Sequence, residues 1–359
     1  MDKSFWANKR VFITGHTGFK GSWLTTWLKL LGASVTGFSL PPQGHPNLFE
    51  AAKVAEGIHS IEGDILHYQD LATAIQNDQP EIIFHLAAQS LVHYSYHNPI
   101  ETYQVNVIGT ANLLEAVRHV PGVKGVLVIT SDKCYENREW VWGYRETDAM
   151  GGFDPYSSSK GCAELVVSAY RRSFFNAAHY ETHGVALASA RAGNVIGGGD
   201  WASDRLIPDL IRSFVQNEEG KIRNPAACRP WQNILDILYG YILLMEQLYR
   251  KGPEFGEAWN FGPTEENVKP VSVIADKLLS LWQEDAKWSA VEVGKKLHEA
   301  ICLRLDSNKS RMLLGWQSQM NIDHVLSHAV EWYKNFYRLA DMSEFTQKQI
   351  IEYGMLRNL

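Results

Sequence analysis

Short apolar runs alternate with amphipathic stretches through the first half of the chain. Arg10-Val11-Phe12-Ile13-Thr14 has the length and continuity of a buried strand. A glycine-bearing turn follows, and then Trp23, Leu24, Trp27, Leu28 and Leu31 recur on one helical face across residues 22–31. Gly32 supplies a natural stop. Further apolar runs at 34–38, 81–86 and 125–130 predict strands, and the segments 69–77, 99–119 and 157–175 predict helices between or after them. Alternation of this kind predicts an α/β fold, a doubly wound parallel sheet covered by helices on both faces. Past about residue 190 the rhythm changes to helices mixed with loops rich in Gly, Pro, Asn and Arg, without a repeat or a low-complexity linker. The expected division is a first domain over 1–190, with a return segment near 230–257, and a smaller α/β domain over most of 191–359.

Composition narrows the choice of partner. The 359 residues are 45% hydrophobic and 21% charged, as in an ordinary globular protein. A formal charge of −6 gives no basic face for nucleic acid or anionic membranes. No run approaches the ~18 apolar residues of a membrane span. The start, Met1 to Trp6, lacks the apolar core of a signal peptide. Cys134, Cys162, Cys228 and Cys302 are scattered with no CxxC pair, which fits reduced thiols in the cytoplasm. No metal is expected, because His85, His93, His97 and His119 lack ligand spacing. Most of the many aromatic residues are read as core.

The turn after the first strand carries the first chemistry. In Gly15-His16-Thr17-Gly18-Phe19-Lys20-Gly21, glycines permit a tight turn, close approach of backbone to a pyrophosphate, and close helix–sheet packing. The helix that follows would offer its unpaired N–H groups and positive dipole end to the phosphates. A dinucleotide site on a Rossmann-type sheet is therefore expected. Farther on, Tyr156-Ser157-Ser158-Ser159-Lys160 sets a tyrosine and a lysine four apart on one helical face. A phenol ionises near pH ~10, so a base role at neutral pH needs a cation such as Lys160 beside it.

The GxxGxxG spacing and the Tyr-x-x-x-Lys pair resemble the extended short-chain dehydrogenase/reductase family. The resemblance implies NAD as cofactor, held by Gly15, Thr17, Gly18, Phe19, Lys20 and Gly21. Ser39 stands where a carboxylate often meets the ribose hydroxyls, which leaves NAD and NADP both open on this strand alone. Asp64 and Ile65 resemble the family's adenine contact, Ala87, Ala88 and Gln89 its fourth-strand loop, and Asn106 the asparagine of the next helix. Ser131 would complete a Ser–Tyr–Lys set with Tyr156 and Lys160, both of which would also touch the cofactor.

Asp132-Lys133, directly after Ser131, is similar to the acid–base pair of the nucleotide-sugar dehydratases in that family, and in particular to the branch acting on CDP-glucose. That resemblance implies oxidation at carbon 4 of the sugar and loss of water across carbons 5 and 6. Asp132 would protonate the departing hydroxyl, and Lys133 would take the carbon-5 proton or only orient the substrate. Asn194, Arg205, Leu206, Arg229 and Arg304, with Gln89, fall in segments similar to the family's substrate half. Guanidinium groups suit diphosphates through paired, planar hydrogen bonds. A homodimer pairing helices 99–119 and 157–175 is implied as well. The rivals are an epimerase or reductase on the same fold, and a non-catalytic NAD-sensing protein.

Overall fold

In the computed structural model, which describes residues 1–283, 286–291 and 303–357, alternation along the first strand sets the two faces of the sheet. In β1 (Arg10–Thr14), Val11 and Ile13 enter one apolar cluster and Phe12 the other. The same sheet contains β2 (Ser34–Ser39), β3 (His59–Glu62), β4 (Ile82–His85), β5 (Gly125–Ile129) and β6 (Ala186–Ala192). With a seventh strand, Ala258–Phe261, the order is Ala258–Phe261, β6, β5, β4, β1, β2, β3, every pair parallel. The order reverses between β1 and β4, so the crevice beyond their carboxyl ends is where a ligand is held in such sheets.

β3 and β6 carry no apolar run that would announce them. β3 reads His-Ser-Ile-Glu at the sheet edge, and β6 is alanine-rich and wholly buried. Neighbouring strands, rather than intrinsic propensity, hold both. The apolar helix Ile234–Lys251 joins the larger cluster. The seventh strand, Ala258–Phe261, follows it and pairs with β6.

Two helices matter for the site. The stretch expected at 99–119 is Pro99–Tyr103, a π-turn over Gln104–Ile108, and Gly109–Arg118, with helical backbone throughout. Such a bulge re-aims side chains and is common at functional sites. The other helix, Pro155–Ser173, begins where Asp154 caps it. Asp154 Oδ1 accepts from the Ser157 N–H at 2.9 Å and Oδ2 from its hydroxyl at 2.6 Å.

Beyond the sheet, Cys228–Pro230 pairs antiparallel with Val268–Pro270, and Glu219–Ile222 pairs parallel with Lys287–Ala290. Buried Asp236 draws the C-terminus inward. It accepts from Ser318 Oγ at 2.8 Å, Tyr353 OH at 2.7 Å and Arg357 Nη2 at 3.0 Å. Trp316 Nε1 donates to the Asp236 carbonyl at 2.8 Å. Among the described residues no helix is long and apolar enough to cross a membrane. Cys134, Cys162 and Cys228 are free thiols; Cys302 lies outside the described residues.

Candidate active site

The glycine loop is shaped by close contacts. Gly15 has φ +77°, and a Cβ there would stand 2.6 Å from the Ala87 nitrogen. A Cβ on Gly21 would stand 2.0 Å from the Gly15 carbonyl oxygen. Only glycine allows the turn to fold this tightly onto the fourth-strand loop. Gly18 is the N-cap of helix Phe19–Leu30 and provides no side-chain cap. The first N–H groups of that helix are therefore left for an anion, and the cradle fits a pyrophosphate.

Around the loop, Thr17 Oγ1 and Ser39 Oγ lie 2.8 Å apart, and Thr17 donates to the Leu40 carbonyl at 3.0 Å. Asp64 accepts from the Leu66 N–H at 2.9 Å, and Ile65 is buried. Phe19, Ala87 and Ala88 are half-buried beside the loop.

Gln89 and Asn106 are bonded to each other and to the neighbouring helices. Asn106 Oδ1 accepts from the Gln89 N–H at 2.9 Å, while its amide donates to the Gln89 carbonyl at 3.0 Å and to Ser159 Oγ at 2.8 Å. The Gln89 amide donates to Thr102 Oγ1 at 2.8 Å and to the Leu91 carbonyl at 3.1 Å. Both polar groups are already satisfied within the protein. They clamp the fourth-strand loop to the helix bearing Tyr156 and Lys160.

The candidate catalytic side chains come from the turn after β5 and from the helix Pro155–Ser173. Ser131 ends the segment after β5 and caps the short turn Asp132–Cys134, accepting from the Lys133 N–H at 3.2 Å and donating to Asp132 Oδ1 at 3.0 Å. Its hydroxyl also hydrogen-bonds the Tyr156 phenol. Tyr156 and Lys160 are both buried, and the Lys160 ammonium lies 6.0 Å from the centre of the Tyr156 ring.

Burial dominates the electrostatics of this centre. It pushes Tyr156 up to about 12, although the Ser131 hydrogen bond and the Arg205 charge oppose it. It brings Lys160 down to about 8, helped by the neighbouring Lys20 charge. Asp132 is also raised by burial, against the charges of Lys133, Lys20 and Arg229 and the Ser131 hydrogen bond. A buried carboxyl that holds its proton is a usable acid. Asp132 also lies against the chain just past β6, since a Cβ on Gly193 would come within 2.8 Å of its Oδ2. Lys133 lines a cleft of about 270 Å³ with Val92, Tyr135, Phe153, Ser157 and Leu303.

The arginines divide. Arg205, at the start of helix Leu206–Val215, pairs with Asp200 at 2.8 Å and donates to Ser90 at 3.3 Å, and its charge reaches Tyr156. Arg229 is buried and acts on Asp132. Arg304 pairs with exposed Glu265 at 3.1 Å, half-buried at the side of the chain near Tyr144. Leu206 and Asn194 are half-buried, Leu206 against the larger cluster and Asn194 just past β6.

Sequence reasoning passed over the support beneath the centre. Buried Glu164, one turn after Lys160, accepts from Thr130 Oγ1 at 2.5 Å, Ser189 Oγ at 2.8 Å and Arg191 Nη2 at 2.7 Å. Arg191 in turn donates to Tyr135 OH at 2.7 Å. The available signal was a glutamate continuing the Tyr-x-x-x-Lys face by four more residues.

Comparison with known proteins places the chain among nucleotide-sugar dehydratases. Residues 12–329 match the family described as GDP-mannose 4,6 dehydratase. The chain is 53% identical over 353 residues, 98% of each chain, to the CDP-glucose 4,6-dehydratase of Salmonella typhimurium. It is 23% identical to the UDP-glucose 4-epimerase of Mycolicibacterium smegmatis, covering 91% of this chain and 99% of that one. Its fold is like that of the dTDP-glucose 4,6-dehydratase of Bacillus anthracis solved with NAD, with TM-score 0.74 and 20% identity over 92% of this chain and 98% of that one. From the glycine cradle to the Ser131–Tyr156–Lys160 centre and the match over residues 12–329, the chain belongs to the GDP-mannose 4,6 dehydratase family.

Proposed function

We propose that the protein converts CDP-glucose to CDP-4-dehydro-6-deoxyglucose with bound NAD. The observation that carries the reading is a buried acid, Asp132, followed by Lys133 and set against the hydrogen-bonded Ser131–Tyr156 pair. The 53% identity to a CDP-glucose 4,6-dehydratase supports the cytidine nucleotide. The uncapped helix after the glycine turn supports the cofactor, which Gly15 to Gly21, Ser39, Asp64 and Lys160 would hold.

Bound NAD supplies a hydride acceptor for carbon 4 and a hydride donor for carbon 6. Ser131 orients the 4-hydroxyl, and Tyr156 takes its proton while the Lys160 charge stabilises the phenolate. The carbonyl formed at carbon 4 acidifies the proton on carbon 5, which Lys133 removes. Asp132 protonates the 6-hydroxyl, which departs as water, and carbon 5 is reprotonated as carbon 6 is reduced. The hydride lost from carbon 4 ends on carbon 6, so the substrate loses one water without net oxidation. Arg205 and Arg229 hold the diphosphate-linked sugar against this centre.

Purified protein given CDP-glucose and NAD is expected to yield a product lighter by one water, with no net reduced cofactor. A product of unchanged mass would mean epimerisation instead. Turnover on the dTDP-, GDP- and UDP-linked sugars, each slower than on CDP-glucose, checks the base.

The two helices beside the centre leave Ile100, Ile108 and Leu165 exposed, and pairing of these faces between two copies as a four-helix bundle would cover them. Sedimentation is expected to give twice the 40.6 kDa chain mass. Leu165→Glu should lower it, whereas a monomeric wild type would end the idea. The cytoplasm is the proposed place of action, since it supplies nucleotide sugars and keeps thiols such as Cys162 and Cys228 reduced.

A further inference from the structure

Thr14 and His85 end two adjacent parallel strands, β1 and β4, and stand opposite each other in their register. The strand order reverses between them, at the crevice where such sheets hold ligands. Thr14 Oγ1 lies 2.7 Å from His85 Nδ1 and accepts from the Ala87 N–H at 3.3 Å. On the other side of the ring, Nε2 lies 3.2 Å from Thr110 Oγ1, whose hydroxyl donates to the Asn106 carbonyl at 2.7 Å. The Asn106 amide donates to Ser159 Oγ at 2.8 Å, and Ser159 donates to the Tyr156 carbonyl at 2.7 Å. Thr14, His85, Asn106, Thr110 and Ser159 are all buried.

One arrangement of protons satisfies every member. The Thr110 proton is committed to Asn106, so the Thr110 oxygen accepts from Nε2–H. Nδ1 is then the bare nitrogen. It accepts from the Thr14 hydroxyl, whose oxygen is left to accept from Ala87. With the proton on Nδ1 instead, the imidazole and Ala87 would both donate to Thr14. Among the described residues the Thr14 hydroxyl bonds no other acceptor, and a buried polar group without a partner is costly. Burial, and then the Lys160 charge, bring His85 down to about 3, so the ring stays neutral at neutral pH.

We propose, resting on the NAD-dependent dehydration given above, that His85 is a positioning residue. Its imidazole, protonated on Nε2, sets a one-way run of hydrogen bonds from the fourth-strand loop to the turn bearing Tyr156. The run holds Ala87, which packs against Gly15 in the cofactor cradle, in register with the phenol that starts the reaction. Hydride transfer depends on that register, and a misplacement of about 1 Å can cost about 10²-fold.

Nitrogen NMR of holoenzyme containing labelled histidine should find the His85 proton on Nε2 alone at neutral pH, the signals being assigned by their loss in His85→Gln or His85→Phe. A proton on Nδ1, or on both nitrogens, overturns the proposal. His85→Phe fills the space of the ring without either hydrogen bond. It should lower kcat about 10–100-fold, with a smaller change in KM for CDP-glucose. It should also weaken NAD binding about tenfold, the loss of roughly one net hydrogen bond. Thr14→Val should do the same, and Thr14→Ser should restore wild-type values. The double variant should be little worse than either single one, because one break already interrupts the run. Losses that multiply in the double variant, or a phenylalanine variant with wild-type kcat and NAD affinity, overturn the role. Should the wild type bind NAD but leave CDP-glucose unchanged, the reading of the reaction falls, while the tautomer and the NAD affinities still decide the role of His85.

Discussion

Asp132→Asn is expected to lower CDP-glucose dehydration by about 10²–10⁴-fold, the usual contribution of a positioned acid. That range corresponds to about 2.7–5.4 kcal/mol of barrier. Asparagine matches the shape of aspartate and keeps an acceptor for the Ser131 hydroxyl, 3.0 Å away. It has no carboxyl proton to give the departing 6-hydroxyl. Burial raises Asp132, so the wild-type side chain keeps its proton to higher pH than an exposed aspartate. The first half of the reaction depends on Tyr156 and Lys160, which the substitution leaves in place. Substrate should therefore be oxidised once, and the absorbance of reduced nicotinamide should rise and persist without dehydrated product. Turnover within about threefold of wild type would remove Asp132 from the acid role.

Glu164→Ala is expected to cost about 3–5 kcal/mol of folding stability, because it leaves the Arg191 guanidinium buried without its anion. The two side chains are each 4% exposed and meet at 2.7 Å. Burial alone would raise Glu164, but the Arg191 charge and the hydrogen bonds from Arg191, Thr130 and Ser189 outweigh it, and the net direction is down. A carboxyl lowered on folding adds stability above its unfolded value of 4.5. That stability fades as pH falls through the folded value. Denaturant unfolding of wild type and variant at neutral pH, and again in mild acid, should show a difference that shrinks on acidification. A neutral-pH difference below about 1 kcal/mol would mean that the pair is replaceable by solvent. Because Thr130 precedes Ser131, and Arg191 reaches Tyr135 in the cleft, activity should fall before the fold is lost.

The parts of the fold legible along the chain are those with strong local signals. β1, β2, β4 and β5 lie within a residue or two of the runs that announce them, because burial on both faces demands unbroken apolar stretches. The glycine turn and the Tyr156–Lys160 spacing are equally local, one set by backbone sterics and the other by helical geometry. β3 and the alanine-rich β6 were illegible because their pairing partners, not their own residues, hold them extended. The π-turn at Gln104–Ile108 left no mark in the helical periodicity, although it carries Asn106, which bonds Ser159 on the helix of Tyr156 and Lys160.

By itself, then, the order of residues determined four strands of the sheet, the glycine turn after the first of them and the Tyr156–Lys160 spacing, since each follows from interactions within a few positions of the chain. Only the folded molecule decided which of those groups share a low-dielectric centre. Lys20, Asp132, Lys160, Arg205 and Arg229 meet across more than two hundred positions, and the proton affinity of a buried charge depends on neighbours that arrive through space.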